Sequence, residues 1–179
     1  MTTKPGRGTS ADVDIASALS GAPLFAAMSA LVFDRVVAAS FVRRYDRGAF
    51  VFLEADRASA VHVVARGLLR VFVTSFDGSE PTLALLTEGT VAGELGVLAD
   101  VPRSASVAAM RPSIVVEIPA AAFRDAYDTE PAMARRLVDL LSDRLRHTND
   151  GFADLTYLDL GGRLAKYLLR ECETAGTAQ

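Results

Sequence analysis

Gly93-Glu94-Leu95-Gly96-Val97-Leu98-Ala99-Asp100-Val101-Pro102-Arg103-Ser104-Ala105-Ser106-Val107 opens on a glycine-flanked acid and closes on an arginine-serine pair leading into an alternating strand. Its glycines and proline argue against a long regular helix, but a short helical turn can begin at Gly93. The first N–H groups of such a turn have no partner within it and point at one spot, a cradle for a phosphate. Arg103 can offer the same phosphate a planar, permanently charged fork. Glu94 is acceptor-only when ionised and suits a sugar hydroxyl, as an acid does in dinucleotide folds. An anion clamp and a hydroxyl acceptor on one compact loop describe a site for a phosphorylated sugar. The competing reading is a surface turn closed by a Glu94–Arg103 salt bridge.

On either side of this stretch the hydrophobic period is two. Phe41–Tyr45, Phe50–Leu53, Val61–Val64, Leu68–Val73 and Thr82–Leu86 read as strands. Asp46-Arg47-Gly48, Glu54-Ala55-Asp56, Arg66-Gly67 and the hairpin signal Asp77-Gly78 divide them, and Glu88-Gly89 turns the chain into the quoted stretch. Ser104–Ala109 and Ile114–Ile118 follow, separated by Arg111-Pro112. Short strands with frequent turns predict an antiparallel sandwich or barrel, and periodicity does not choose among double-sheet folds. Residues 12–40 are Ala-rich and helical in pattern, with Leu31, Val32, Phe33, Val36 and Val37 at helical spacing.

Beyond the strands, helix reopens at Pro119 or within Asp128-Thr129-Glu130-Pro131, the proline suiting a first helical turn. Ala134, Val138, Leu141, Leu145, Thr148, Phe152 and Leu155 then alternate in steps of four and three, a coiled-coil seam. The seam predicts a parallel homodimer, against the alternative of a helix packed on its own domain. Thr148 is a polar residue at a seam position, which sets register or serves a ligand. Asn149 beside it can both donate and accept, which suits the edge of adenine. Arg135, Arg136, Arg144 and Arg146 read as the solvated face of this helix.

Gly93-Glu94-Leu95 followed by Pro102-Arg103-Ser104-Ala105 resembles the phosphate-binding cassette of cyclic-nucleotide-binding domains. Arg146-His147-Thr148-Asn149 through Leu155, and Leu158-Asp159-Leu160-Gly161-Gly162-Arg163-Leu164-Ala165, are similar to the bacterial cyclic AMP receptor protein type of transcription regulator. The resemblance covers residues from about 20 to 171 and implies a mainly β fold with helices. That fold is a jelly roll (an antiparallel double-stranded β-helix) with N-terminal helices, a long C-terminal dimerisation helix and a short following helix. It further implies that Arg103, Ser104 and the N–H groups around Gly93, Glu94 and Leu95 hold a cyclic phosphate. Glu94 would take the ribose 2′-hydroxyl, and Thr148 and Asn149 would read the base across the dimer.

Cyclic AMP (cAMP) is the implied ligand; cyclic GMP (cGMP) is the alternative, since Ser104 could bond a guanine amino group. One departure stands out: the family commonly carries glycine where this chain has Ala55. A left-handed backbone there would cost about 1 kcal/mol, or else the turn is built differently. The expected divisions are an irregular 1–11, a roll with its N-terminal helices over 12–128, a dimerisation helix over 129–157, and a hinge with a short helix over 158–179. In the family the helix after the hinge, here Asp159 to Glu171, leads into a helix-turn-helix domain. Cys172 to Gln179 cannot form a recognition helix, so DNA contact is expected only through a domain this chain lacks. An output-less nucleotide-binding or dimerisation subunit is the alternative role.

Composition narrows the classes. The net charge of −3 gives no global attraction to nucleic acid. A single cysteine, Cys172, rules out an internal disulfide or a thiolate cluster and reads as a half-buried, inert thiol. His62 and His147 lack metal-ligand spacing, which argues against a metal-dependent enzyme on a double-sheet fold, and no metal or catalytic activity is expected. No apolar run is long enough to span a membrane, and the polar Met1–Ser10 lacks the apolar core of a signal peptide, so a cytoplasmic protein is expected.

Overall fold

The computed structural model describes residues 13–176; the segment expected to be irregular, 1–11, lies outside them. The chain divides after Arg136 into two compact units. In the first, α1 (Ile15–Ser20) and α2 (Ala30–Ala39) precede β1 (Phe41–Tyr45), β2 (Phe50–Phe52), β3 (Ala60–Arg66), β4 (Leu69–Phe72), β5 (Thr82–Leu86) and β6 (Val91–Ala92). There follow α3 (Glu94–Ala99), β7 (Ser106–Ala109), β8 (Ser113–Pro119) and α4 (Ala120–Thr129). The strands form two four-stranded sheets, in the orders β1-β8-β3-β6 and β2-β7-β4-β5. Every pairing is antiparallel, as in the expected jelly roll.

Alternation decides what fills the roll. Val64, Leu69, Leu86, Ala92, Val107, Ala109 and Val115 form one buried cluster, with Tyr45, Val51, Phe52 and Val71 packed against it. In β3 the residues Ala60 to Val64 are all buried, because one face looks into this cluster while α1, α3 and α4 pack against the strand. Ala60, His62 and Val64 share the inward face by the period of two. In the helical layer Phe25 meets Phe123 of α4 edge-on at 6.4 Å between ring centroids, and Arg35 of α2 pairs with Asp125 of α4 at 2.6 Å. The Asp14 carboxylate caps α1 by accepting the N–H groups of Ala16 and Ser17.

The helical signals at Pro119 and at Pro131 are both real starts. The first opens α4, and the second opens α5 (Pro131–Tyr157), whose later turns form the second unit with α6 (Leu160–Gly176). Helix α5 continues through Gly151, where a side chain would meet nothing within 4 Å. It stops before Leu158 and Asp159, and the Asp159 carboxylate then accepts the Gly162 N–H at 2.8 Å to start α6. Lys166 pairs with Asp154 at 2.6 Å between the two helices.

Two expectations are corrected here. With no proline to break it, α6 runs past Glu171 to Gly176, so the helix is longer than expected. Cys172 is exposed, not half-buried. Among the described residues no helix is long and apolar enough to cross a membrane, and no group of three or more His, Cys, Asp and Glu is placed to hold a metal ion.

Candidate functional site

The quoted stretch folds into a turn, one short helix and an extended return. Gly93 caps α3 in the left-handed region, with φ 81° and ψ 8°. Glycine is required there twice over. The dihedral disfavours other residues, and a Cβ would overlap Nη1 of Arg103 and lie 3.0 Å from its Cζ. Gly96 answers a second close approach, since a Cβ there would sit 2.8 Å from that of Ala58. The far end of α3 is held by Arg124 of α4, whose Nε donates to the Val97 carbonyl at 2.8 Å. Its Nη2 donates to the Asp100 carboxylate at 2.7 Å. Sequence reading missed Arg124 because its partners are a carbonyl and a cap residue far away in the chain.

Glu94 and Arg103 are 1% and 5% exposed. The surface-turn reading therefore fails: both charged groups sit inside the roll's wall, where an ion must be compensated. Arg103 donates from Nη1 to the Gly93 carbonyl at 2.7 Å and from Nη2 to the Ala60 carbonyl at 2.6 Å. Its Cζ lies 4.2 Å from the Phe52 ring centroid, a stacked cation–π contact. Burial draws the guanidinium below its ordinary value, while the carboxylates of Glu94, Asp56 and Glu117 oppose that. The arginine backbone is fixed as well. Its N–H donates to the Asp56 carbonyl and its carbonyl accepts the Ala55 N–H, both at 2.9 Å.

Those two bonds bind the cassette to the loop between β2 and β3. Ala55 has φ 65°, so the chain adopts the left-handed turn despite lacking glycine. The Asp56 carboxylate accepts the Leu53 N–H at 2.8 Å, and Ser106 Oγ accepts the Glu54 N–H at 2.9 Å, which together over-determine the turn.

The predicted residues fall into two groups. Gly93, Glu94, Leu95, Arg103 and Ser104 are brought together, with Leu95 and Ser104 exposed beside the buried acid and arginine. Thr148 and Asn149 lie on α5 in the second unit and are exposed. The Thr148 hydroxyl donates to the Arg144 carbonyl one turn earlier, at 2.9 Å. A residue not singled out from sequence, His62, joins the first group. It is 5% exposed, its ring centroid is 5.2 Å from that of Phe52, and burial followed by the charge of Arg103 lowers its pKa to about 3. The signal for it was present: one histidine inside the apolar run Ala60-Val61-His62-Val63-Val64.

The arrangement is a buried cation and a buried acid at the start of a short helix, suited to binding an anion and a hydroxyl. The model of the cyclic nucleotide-binding domain matches residues 42–130, from β1 to the residue before α5. The cyclic AMP receptor protein of Thermus thermophilus is 32% identical over 156 residues, covering 85% of this chain and 70% of that protein. A CRP-like cAMP-activated global transcriptional regulator of Mycobacterium tuberculosis is 29% identical over 135 residues, or 75% of this chain. That match spans 60% of the relative's own length. Among solved structures, the Thermus thermophilus catabolite activator protein aligns with a TM-score of 0.66 at 30% identity, over 75% of this chain and 63% of the other. Roll, cassette and relatives converge: the chain belongs to the cyclic nucleotide-binding domain family, in its cyclic AMP receptor protein branch.

Proposed function

We propose that this chain is a cyclic AMP sensor that binds its ligand and does no catalysis. The observation that carries the reading is the burial of Arg103 and Glu94 together at the start of α3. A guanidinium already desolvated and backed by carboxylates is prepared for a phosphate. In this reading the cyclic phosphate takes Arg103, Ser104 and the N–H groups around Glu94 and Leu95, and the ribose hydroxyl takes Glu94. Thr148 and Asn149 read the adenine edge from a second copy of the chain.

A homodimer through α5 is part of the proposal. Val138, Leu145, Phe152 and Leu155 are 61%, 61%, 73% and 67% exposed along the expected seam. An apolar row of this kind calls for a partner helix. Ligand held by the roll and by the paired helices would shift α5 and the break at Leu158-Asp159, the switch of a transcription regulator acting in the cytoplasm. Contact with DNA would be made through a helix-turn-helix domain, as the resemblance implies.

Titration calorimetry with cyclic AMP and with cyclic GMP tests the reading. One site per chain, preferring cyclic AMP and weakened by about 2–5 kcal/mol in Arg103→Ala, is the expected result. Equal binding by the variant overturns the site, and a preference for cyclic GMP moves the base reading to Ser104.

A further inference from the structure

Beneath the phosphate clamp lies a cluster of three side chains, from two strands and the loop between α3 and β7. Phe52 of β2 is the centre, with the Arg103 guanidinium over its ring and the His62 imidazole of β3 beside it. Two buried atoms of this cluster have no hydrogen-bond partner among the described residues: Nδ1 of His62 and Nε of Arg103. They are complementary. A guanidinium Nε–H only donates, and Nδ1 of a neutral imidazole with its proton on Nε2 accepts. His62 is held neutral in the fold, so the acceptor is available.

The arginine's other two nitrogens are spent on the carbonyls of Gly93 and Ala60. Those bonds fix the guanidinium plane and leave Nε–H unmatched. A phosphate that engages Nη1 and Nη2 as a bidentate pair would turn that plane and re-aim the unmatched Nε–H toward an acceptor. Ala60, which holds Nη2 through its carbonyl, is two residues from His62 on the same strand face. We propose that His62 is a positioning residue of the clamp, its Nδ1 accepting the Arg103 Nε–H when the guanidinium turns from the roll's carbonyls to a bound cyclic phosphate. This rests on the cyclic-nucleotide reading above. It assigns to a buried polar group, otherwise a cost to the core, the task of fixing the clamp in its loaded orientation.

The test uses the full chain, cyclic AMP and two variants. His62→Phe keeps a ring against Phe52 and removes the acceptor, while His62→Gln restores one. His62→Phe should bind cyclic AMP about tenfold more weakly and His62→Gln within about threefold of the parent, as expected for one hydrogen bond to a charged group. Nitrogen-15 NMR supplies a readout that packing alone does not move. On saturation with cyclic AMP, a coupling across the hydrogen bond should appear between Arg103 Nε and His62 Nδ1. Its absence overturns the inference whatever the affinities, and so does unaltered binding by His62→Phe. If the parent chain binds neither cyclic nucleotide, the ligand reading itself falls and takes this inference with it.

Discussion

Lowering the pH from about 7.5 to about 4.5 should remove about 3 kcal/mol of folding stability through His62 alone. In the unfolded chain the imidazole has its ordinary value of 6.5, and in the fold it is lowered to about 3. The depressed value means that the native state refuses a proton which the unfolded state takes up. Stability is therefore complete above the unfolded value and falls as pH drops below it, by a little over 1 kcal/mol for each unit. Two units of that window lie above about pH 4.5, which gives the figure. The loss levels off near pH 3, where the native imidazole is protonated too.

The surroundings support the direction. Arg103 adds its positive charge to the effect of burial, and Glu117, which pairs with His62 in the β3–β8 register, is engaged by Arg43 at 3.3 Å. Urea unfolding of the parent and of His62→Phe at both pH values isolates the contribution, since other titrating groups are common to both proteins. The parent should lose about 3 kcal/mol more than the variant across the interval. Parallel stability curves would show that the imidazole is charged or solvated in the fold, and would refute the reasoning.

Three further outcomes follow from the geometry. Ala55→Gly should raise stability by about 1 kcal/mol in denaturant unfolding, because glycine relieves the left-handed backbone; a fall would contradict the φ of that residue. Gly93→Ala combines an unfavourable dihedral with overlap on the Arg103 guanidinium and should cost about 1–3 kcal/mol. Thermal melts with and without cyclic AMP would show that loss together with a weaker ligand-induced shift, and an unchanged melt would remove the close approach from the account. Leu145→Asp places a charge on the exposed seam of α5 and should yield a monomer in sedimentation equilibrium. An unchanged mass would mean that this face is not the dimer contact.

Strands were legible wherever alternation met a turn residue. Phe41–Tyr45 ends at a turn with Gly48 at φ 83°, and the hairpin at Asp77-Gly78 has Gly78 at φ 82°. Strand β6 was not legible, because two residues, Val91 and Ala92, carry no period. The stretch from Gly93 to Arg103 was readable because glycine alone suits the left-handed, crowded cap and arginine alone offers a forked permanent cation. What local pattern could not give was burial. Glu94 and Arg103 look like surface residues in a row of letters, and they are interior because β3 and the 53–59 loop close around them. The same holds for His62, whose neighbours Phe52 and Arg103 are distant in sequence. Cys172 shows the converse: without knowledge of which face of α6 is covered, its exposure could not be inferred.

The paired backbone bonds between Arg103 and the Ala55-Asp56 turn bear on time. They lock the arginine's main chain to the opposite loop, so that taking up the proposed ligand would ask for rotation about side-chain torsions and no movement of that loop. Arg103 is buried and bonded to the Gly93 and Ala60 carbonyls, so its guanidinium turns only as those two bonds break. If the clamp takes a cyclic phosphate as proposed, the pace of capture would then be set by those two bonds and not by movement of the 53–59 loop.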